Sequence, residues 1–300
     1  MKTYRLSWKN HCLELGTKTC VMGILNITPD SFSDGGEFFS LTSALARGEK
    51  LALDGADIID IGGESTRPFS EPVSAREEMR RVLPVIEKLA ARVSVPISID
   101  TTKAEVARAA ISAGAAIIND ISSLAYDPLM AGVAAEYGVP LILMHIRGTP
   151  KTMQIEPVYD DLIGEIRQFF ENAIVAAEKS GVSRSKIIID PGIGFGKTLE
   201  HNLSLIRQLH EFAALDLPIL AGPSRKAFIR KILKACPRLH IGNPEEKDIN
   251  PQLPQVETGT QAAVAAAVLN GAHIVRVHNV AETRCTVEII DAVKNSPDFK

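Results

Sequence analysis

Eight short apolar runs recur along the chain, and each stops at a polar residue or a glycine–polar cluster. They are VMGILN (Val21–Asn26), DIIDIGGE (Asp57–Glu64), PISID (Pro96–Asp100), AIIND (Ala116–Asp120), PLILMH (Pro140–His145), KIIID (Lys186–Asp190), PILAGPSRK (Pro218–Lys226) and HIVRVH (His273–His278). Val, Ile and Leu without alternation mark strands buried on both faces, because a strand with one wet face alternates. Helix-like stretches separate the runs. Strand–helix repeated eight times predicts an α/β fold, a (β/α)8 TIM barrel, whose chemistry sits on the loops at the C-terminal ends of the strands. The polar residues gather at those ends: Asn26, Glu64 to Arg67, Asp100, Asn119, His145, Asp190, Lys226, Arg276 and His278. A purely structural role would scatter them, so the shared position predicts one site facing one pocket.

The rest of the chain fits around that ring. At 300 residues and 45% hydrophobic, it can bury one large core, and α/β barrels commonly take about 200–250 residues as one unit. A single domain over 1–300 is expected, prefaced by a short N-terminal β-hairpin over 3–20, where TYRLSW and HCLEL flank Lys9-Asn10. The first helix should begin near Ser40 and run to Gly55. The second should open on a capping box, Ser74 with Glu77, and should bend or end at Pro84. Four prolines and many charges make residues 236–257 a long irregular insertion.

Composition excludes some classes of function. A net charge of −3 gives no electrostatic case for nucleic acid or an anionic membrane surface. No apolar run approaches the roughly 18 residues of a membrane span, and the N-terminus lacks the continuous apolar core of a signal peptide. A cytoplasmic protein is expected. Cys12, Cys20, Cys236 and Cys285 have no CxxC spacing and read as reduced structural thiols. His201, His210 and His240 lack metal-ligand spacing and read as surface residues. GIGFGKT (Gly192–Thr198) fails the Walker pattern, which needs Gly where Pro191 stands, and its glycine spacing fails the dinucleotide pattern. It reads as a flexible glycine-rich loop after Asp190.

The strand ends themselves describe a ligand. The first strand runs into a polar stretch, Asn26 to Gly36, with Phe32 as its one large apolar group. Its excess length over an ordinary connection predicts a lid that shuts out water. Thr66, Arg67 and Pro68 offer a hydroxyl, a guanidinium and a rigid turn on the next loop, and Arg225, Lys226, Arg276 and His278 add donors to the rim. Guanidinium forks match phosphate geometry, so an anion is expected there. Asp100, Asn119 and Asp190, deep in the pocket, suit a flat heterocycle rich in N–H donors. The predicted ligand is heterocyclic at one end and phosphorylated at the other.

The blocks GILNITPDSFSDGG, DIIDIGGESTRP, PISIDT, IINDIS, MHIRGTPKTMQ, IIIDPGIGFGK, SRK and IVRVH, in that order, resemble the dihydropteroate synthases. The resemblance implies a transferase that condenses 6-hydroxymethyl-7,8-dihydropterin diphosphate with 4-aminobenzoate, releasing 7,8-dihydropteroate and diphosphate with the help of Mg2+. By matching position, Asp100, Asn119, Asp190 and Lys226 would hold the pterin, with Met144 on its face, and Gly222 would be a further substrate-binding residue. Asn26 would ligate Mg2+. Arg67, Arg276 and His278 would hold the diphosphate. Phe32, Thr66, Pro68, Phe195 and Ser224 would border the aminobenzoate, and Asp34 would order the first loop. A homodimer is also implied. The family's last strand continues Arg-Val-His-Asp, where this chain has Asn279. Two alternatives share the pterin pocket: a pterin-binding methyltransferase barrel and a catalytically inactive pterin-binding subunit.

Overall fold

The computed structural model describes residues 1–27, 37–66, 70–241 and 248–296. The chain opens on an antiparallel hairpin, β1 (Tyr4–Trp8) and β2 (His11–Leu15), turning at Lys9-Asn10. Alternation buries Leu6, Trp8, Leu13 and Leu15 while Arg5, Ser7, Cys12 and Glu14 face solvent. His273 ties this preface to the barrel. Its Nδ1 accepts the Ile219 N–H at 3.1 Å, which leaves the Nε2 proton to meet the Lys2 carbonyl at 3.2 Å.

Eight parallel strands follow, one at each predicted run: β3 (Cys20–Asn26), β4 (Ile58–Gly62), β5 (Ile97–Asp100), β6 (Ile117–Asp120), β7 (Leu141–Met144), β8 (Ile187–Asp190), β9 (Leu220–Ala221) and β10 (Ile274–Val277). Their order around the sheet is β8-β7-β6-β5-β4-β3-β10-β9. The last gap is crossed by a parallel bridge from Ile189 to Ile219, with the Ile189 N–H on the Pro218 carbonyl at 3.0 Å. The ring therefore closes as the sequence predicts. Register sets Asn26 beside Gly62, Gly62 beside Asp100, and Asp100 beside Asn119, so one row of the barrel's C-terminal mouth is polar. Immediately beneath it, Ile24, Asp60, Ser98 and Ile117 form the next inward row.

Nine α-helices are seen among the described residues: α1 (Glu37–Leu53), α2 (Ala75–Ala90), α3 (Ala104–Ser112), α4 (Met130–Tyr137), α5 (Leu162–Lys179), α6 (Leu199–Arg207), α7 (Ala227–Ala235), α8 (Pro254–Leu269) and α9 (Val280–Lys294). Several boundaries correct the sequence reading. Helix α1 starts at Glu37, three residues before Ser40. Helix α2 runs unbroken through Pro84, which lies on its exposed face. The Ser74 hydroxyl accepts the Glu77 N–H at 3.2 Å, while the Glu77 carboxylate takes Arg80 and Arg81. The irregular stretch after α7 stops at Leu253 rather than residue 257, since Pro254 opens α8 at the position where its missing N–H costs nothing. Near its end Ile249 is 2% exposed and Asp248 pairs with Arg230, so this part is packed. His201 is half-buried, not a free surface residue: it completes a capping box with Thr198 at the start of α6. His210 and His240 are exposed as expected. All four cysteines are free, but only Cys20 is buried.

Candidate active site

Asp100 ends β5, Asn119 lies near the end of β6 and Asp190 ends β8, so three strands deliver their polar groups to the same end of the barrel. Arg276 reaches in from β10. Its Nε donates to Asp60 Oδ2 at 2.6 Å and its terminal Nη2 to Asp100 Oδ2 at 2.7 Å. Asn119 Nδ2 donates to the same Asp60 oxygen at 3.1 Å. Burial pushes the Asp100 carboxyl up against the pull of Arg276. Burial also works against the Arg276 charge, but Asp60 and Asp100 outweigh it and hold that group above its ordinary value.

Across the pocket, burial pushes Asp190 up to about 6 although its Oδ1 accepts the Gly192 N–H at 2.8 Å. Lys226 follows β9 at the entry to α7, its ammonium 3.7 Å from the Phe195 ring centre, a cation–π contact. Burial, reinforced by the like charge of Arg276, lowers Lys226 to about 7. Met144 and Phe195 join Ile121, Ile146 and Met153 in a small apolar cluster above the barrel core. Gly222 lies behind Arg276: a Cβ on it would come 3.8 Å from the arginine Cβ. Ser224 and His278 pair directly, Oγ to Nδ1 at 2.9 Å, with the His278 N–H returning to the same hydroxyl at 3.2 Å. Asn26, at the end of β3, flanks Gly62 on the side opposite Asp100. Thr66 is half-buried on the loop after β4. Phe32, Asp34, Arg67, Pro68 and the expected lid lie outside the described residues.

Two residues of this site escaped the sequence reading. Asp60 stands in the middle of β4, not at its end, and is 0% exposed. Its signal was a carboxylate interrupting IIDIG, where a strand buried on both faces has no cheap place for charge. Lys197, 3% exposed, was hidden inside the failed phosphate motif. Its ammonium donates to the Phe195 carbonyl and meets His145 Nδ1, each at 3.0 Å. Burial brings Lys197 down to about 7 and holds His145 far below the usual imidazole range. The glycine-rich loop is accordingly tied, not flexible: Asn202 takes the Gly194 N–H at 2.6 Å, and Tyr159 reaches the Gly196 carbonyl at 2.9 Å. Asn279 caps α9 by accepting the Glu282 N–H at 3.4 Å, a task Asn and Asp perform about equally.

Comparison with known proteins decides the family. A family model described as pterin binding enzyme matches residues 22–278. The dihydropteroate synthase of Synechocystis sp. is 50% identical over 278 residues, covering 93% of this chain and 91% of its own. The chain belongs to the dihydropteroate synthases. Solved members of the family superpose over nearly the whole chain. The Xanthomonas albilineans dihydropteroate synthase with 4-aminobenzoic acid shares 41% identity, with a TM-score of 0.87 over 99% of this chain and 100% of its own. The Yersinia pestis dihydropteroate synthase in complex with a sulfonamide drug shares 42% identity, with a TM-score of 0.86 over 97% of this chain and 98% of its own. Dihydropteroate synthesis is thus its activity, a transferase reaction of folate biosynthesis, and the methyltransferase alternative falls.

Proposed function

We propose that the pocket divides the two substrates as follows. Asp100, Asn119, Asp190 and Lys226 hold the pterin, whose amino and ring N–H edge meets carboxylates that Lys226 and Arg276 keep compensated. The Met144 cluster covers its face. Arg276 and His278, with Arg67, take the diphosphate. Phe195, Ser224 and Thr66, with Phe32 and Pro68, border 4-aminobenzoate. The observation that carries this reading is the convergence of Asp100, Asn119 and Asp190 at the C-terminal ends of three strands, with Arg276 reaching in from β10 to Asp100.

The chemistry follows from those charges. The bond from the pterin methylene carbon to the diphosphate oxygen breaks, and the electron pair leaves with diphosphate. Cationic donors already in place stabilise the charge that develops there, while the buried carboxylates favour positive charge on the pterin. The aniline nitrogen of 4-aminobenzoate then bonds to the carbon and loses its proton to diphosphate or solvent. A nitrogen this weakly basic is unprotonated near neutral pH and needs no strong base.

Mg2+ fits the donor set in one particular way. Among the described residues no cluster of three or more His, Cys, Asp or Glu could hold a metal, and Asn26 offers one amide oxygen. Mg2+ keeps several waters and binds through few protein ligands plus substrate phosphates, so Asn26 would hold an ion that arrives with the diphosphate. When bound, it neutralises charge on the leaving group. A cytoplasmic location accords with the absence, among the described residues, of any helix long and apolar enough to cross a membrane. The homodimer accords with a cavity of about 490 Å3 on the outer face of α6, α7 and α8, lined by Ile206, Phe228, Ile229 and Leu233. Leu203 and Ile232 beside it are more than 40% exposed.

Diphosphate release tests this reading, measured with dihydropterin diphosphate, 4-aminobenzoate and Mg2+ and then with each omitted in turn, on enzyme sized by light scattering. We expect release to need all three, dihydropteroate to form in equal amount, and a mass twice the 32.4 kDa of the chain. Equal release without Mg2+ would remove Asn26 from the scheme, and a monomer would remove the dimer.

A further inference from the structure

We infer that Asp60 is the positioning residue of Arg276, the group that aims its guanidinium at the leaving diphosphate. This rests on the reading above that Arg276 serves the diphosphate.

Stability does not account for Asp60. Ile58, Ile59 and Ile61 around it on β4 are each 0% exposed, and so is Asp60 itself. Both of its hydrogen bonds fall on Oδ2. Oδ1 is buried without a hydrogen-bond partner among the described residues, as is Oγ of Ser98, its register neighbour on β5. A carboxylate that gives up its water for one satisfied oxygen is costly, and an aliphatic side chain like its neighbours would fill the row at no such cost. What Asp60 does supply is direction. Arg276 enters from β10, with β3 between that strand and β4, and a side chain that long needs anchoring to hold one orientation. Asp60 takes Nε and Asp100 takes Nη2, which fixes the guanidinium plane at two points. Nη1 makes no hydrogen bond among the described residues and is available to an anion.

The two anchors differ once substrate binds. Asp100 is the carboxylate the pterin also needs, so its bond to Arg276 is contested by the ligand. Asp60 lies one inward row deeper, below the ring, so its hold on Nε persists through the reaction. It also sets Asn119, which donates to the same oxygen, so a single carboxylate keeps a pterin-reading amide and a diphosphate-binding guanidinium in fixed relation.

The experiment is a double-mutant cycle of Asp60→Asn and Arg276→Ala, with the smaller Asp60→Ser in place of the carboxamide should that fail to fold. Asp60→Asn should lower kcat by about 10–100-fold, the range found when an orienting partner is lost, with the KM for 4-aminobenzoate unchanged within about threefold. The double variant should be no slower than Arg276→Ala alone, because residues acting through one another are not additive. A folded Asp60→Asn enzyme with parental kcat, or losses that multiply in the double variant, would overturn the inference. Should Arg276→Ala itself turn over normally, the diphosphate reading fails separately. The crystal structure of Asp60→Asn then decides, and an arginine held in its present orientation counts against Asp60.

Discussion

Gly192 shows how closely single residues set this site. It has φ of +72°, and a Cβ on it would stand 1.9 Å from the His145 carbonyl oxygen. Alanine there must move the backbone that leads to Phe195 and Lys197. The left-handed conformation alone costs about 1–3 kcal/mol, so Gly192→Ala should lower the melting temperature by several degrees and cut kcat/KM at least about tenfold. A variant that melts and turns over like the parent would refute the tight packing of this loop. The sequence allowed Asp100, Asn119, Asp190 and Arg276 to be picked out because they lie at or next to strand ends, and Lys226 because it follows β9 on the loop into α7, where barrel chemistry sits. It hid Asp60 and Lys197 for physical reasons. A search of strand ends passes over a residue in mid-strand, and the environment of Lys197 comes from His145, which is 52 residues away. The pairing of Ser224 with His278 likewise exists only once β9 lies beside β10.

At the level of elements, the hairpin depends on a neutral histidine. His273 uses Nδ1 as an acceptor, and burial holds its pKa down to about 4. In the unfolded chain that group titrates near 6.5. Between these values the unfolded chain binds the proton and the folded one does not, so the contribution of His273 is fully present above about 6.5 and is lost as pH falls toward 4. The shift corresponds to stability on the order of 3 kcal/mol. Urea unfolding of the parent and of His273→Gln should therefore converge as pH is lowered from 7 to 4, with the parent losing more. Parallel curves across that window would contradict the assignment. Helix boundaries were harder to read than strands. Pro84 sits inside α2 on its exposed face and Pro254 starts α8, so the same residue type carried different meanings at the two places.

For the molecule as a whole, the period of the apolar runs made the barrel legible, because burial on both faces leaves a strand no other pattern. How little of β9 would complete the closure against β8 was not legible. Strand β9 spans two residues between Pro218 and Pro223, and the ring is completed there by one bridge. The central claim is that a single pocket at the strands' C-terminal ends reads the pterin through Lys226 and the diphosphate through Arg276. The measurement that tests it most directly compares Lys226→Ala and Arg276→Ala for turnover, and for calorimetric binding of 6-hydroxymethylpterin, which lacks the diphosphate. Both variants should keep the parental fold and lose turnover by at least about 100-fold, the effect of removing one preorganised charge-stabilising group. Only Lys226→Ala should weaken binding of the free pterin. Parental turnover in either variant, or loss of pterin binding in Arg276→Ala alone, would contradict the account.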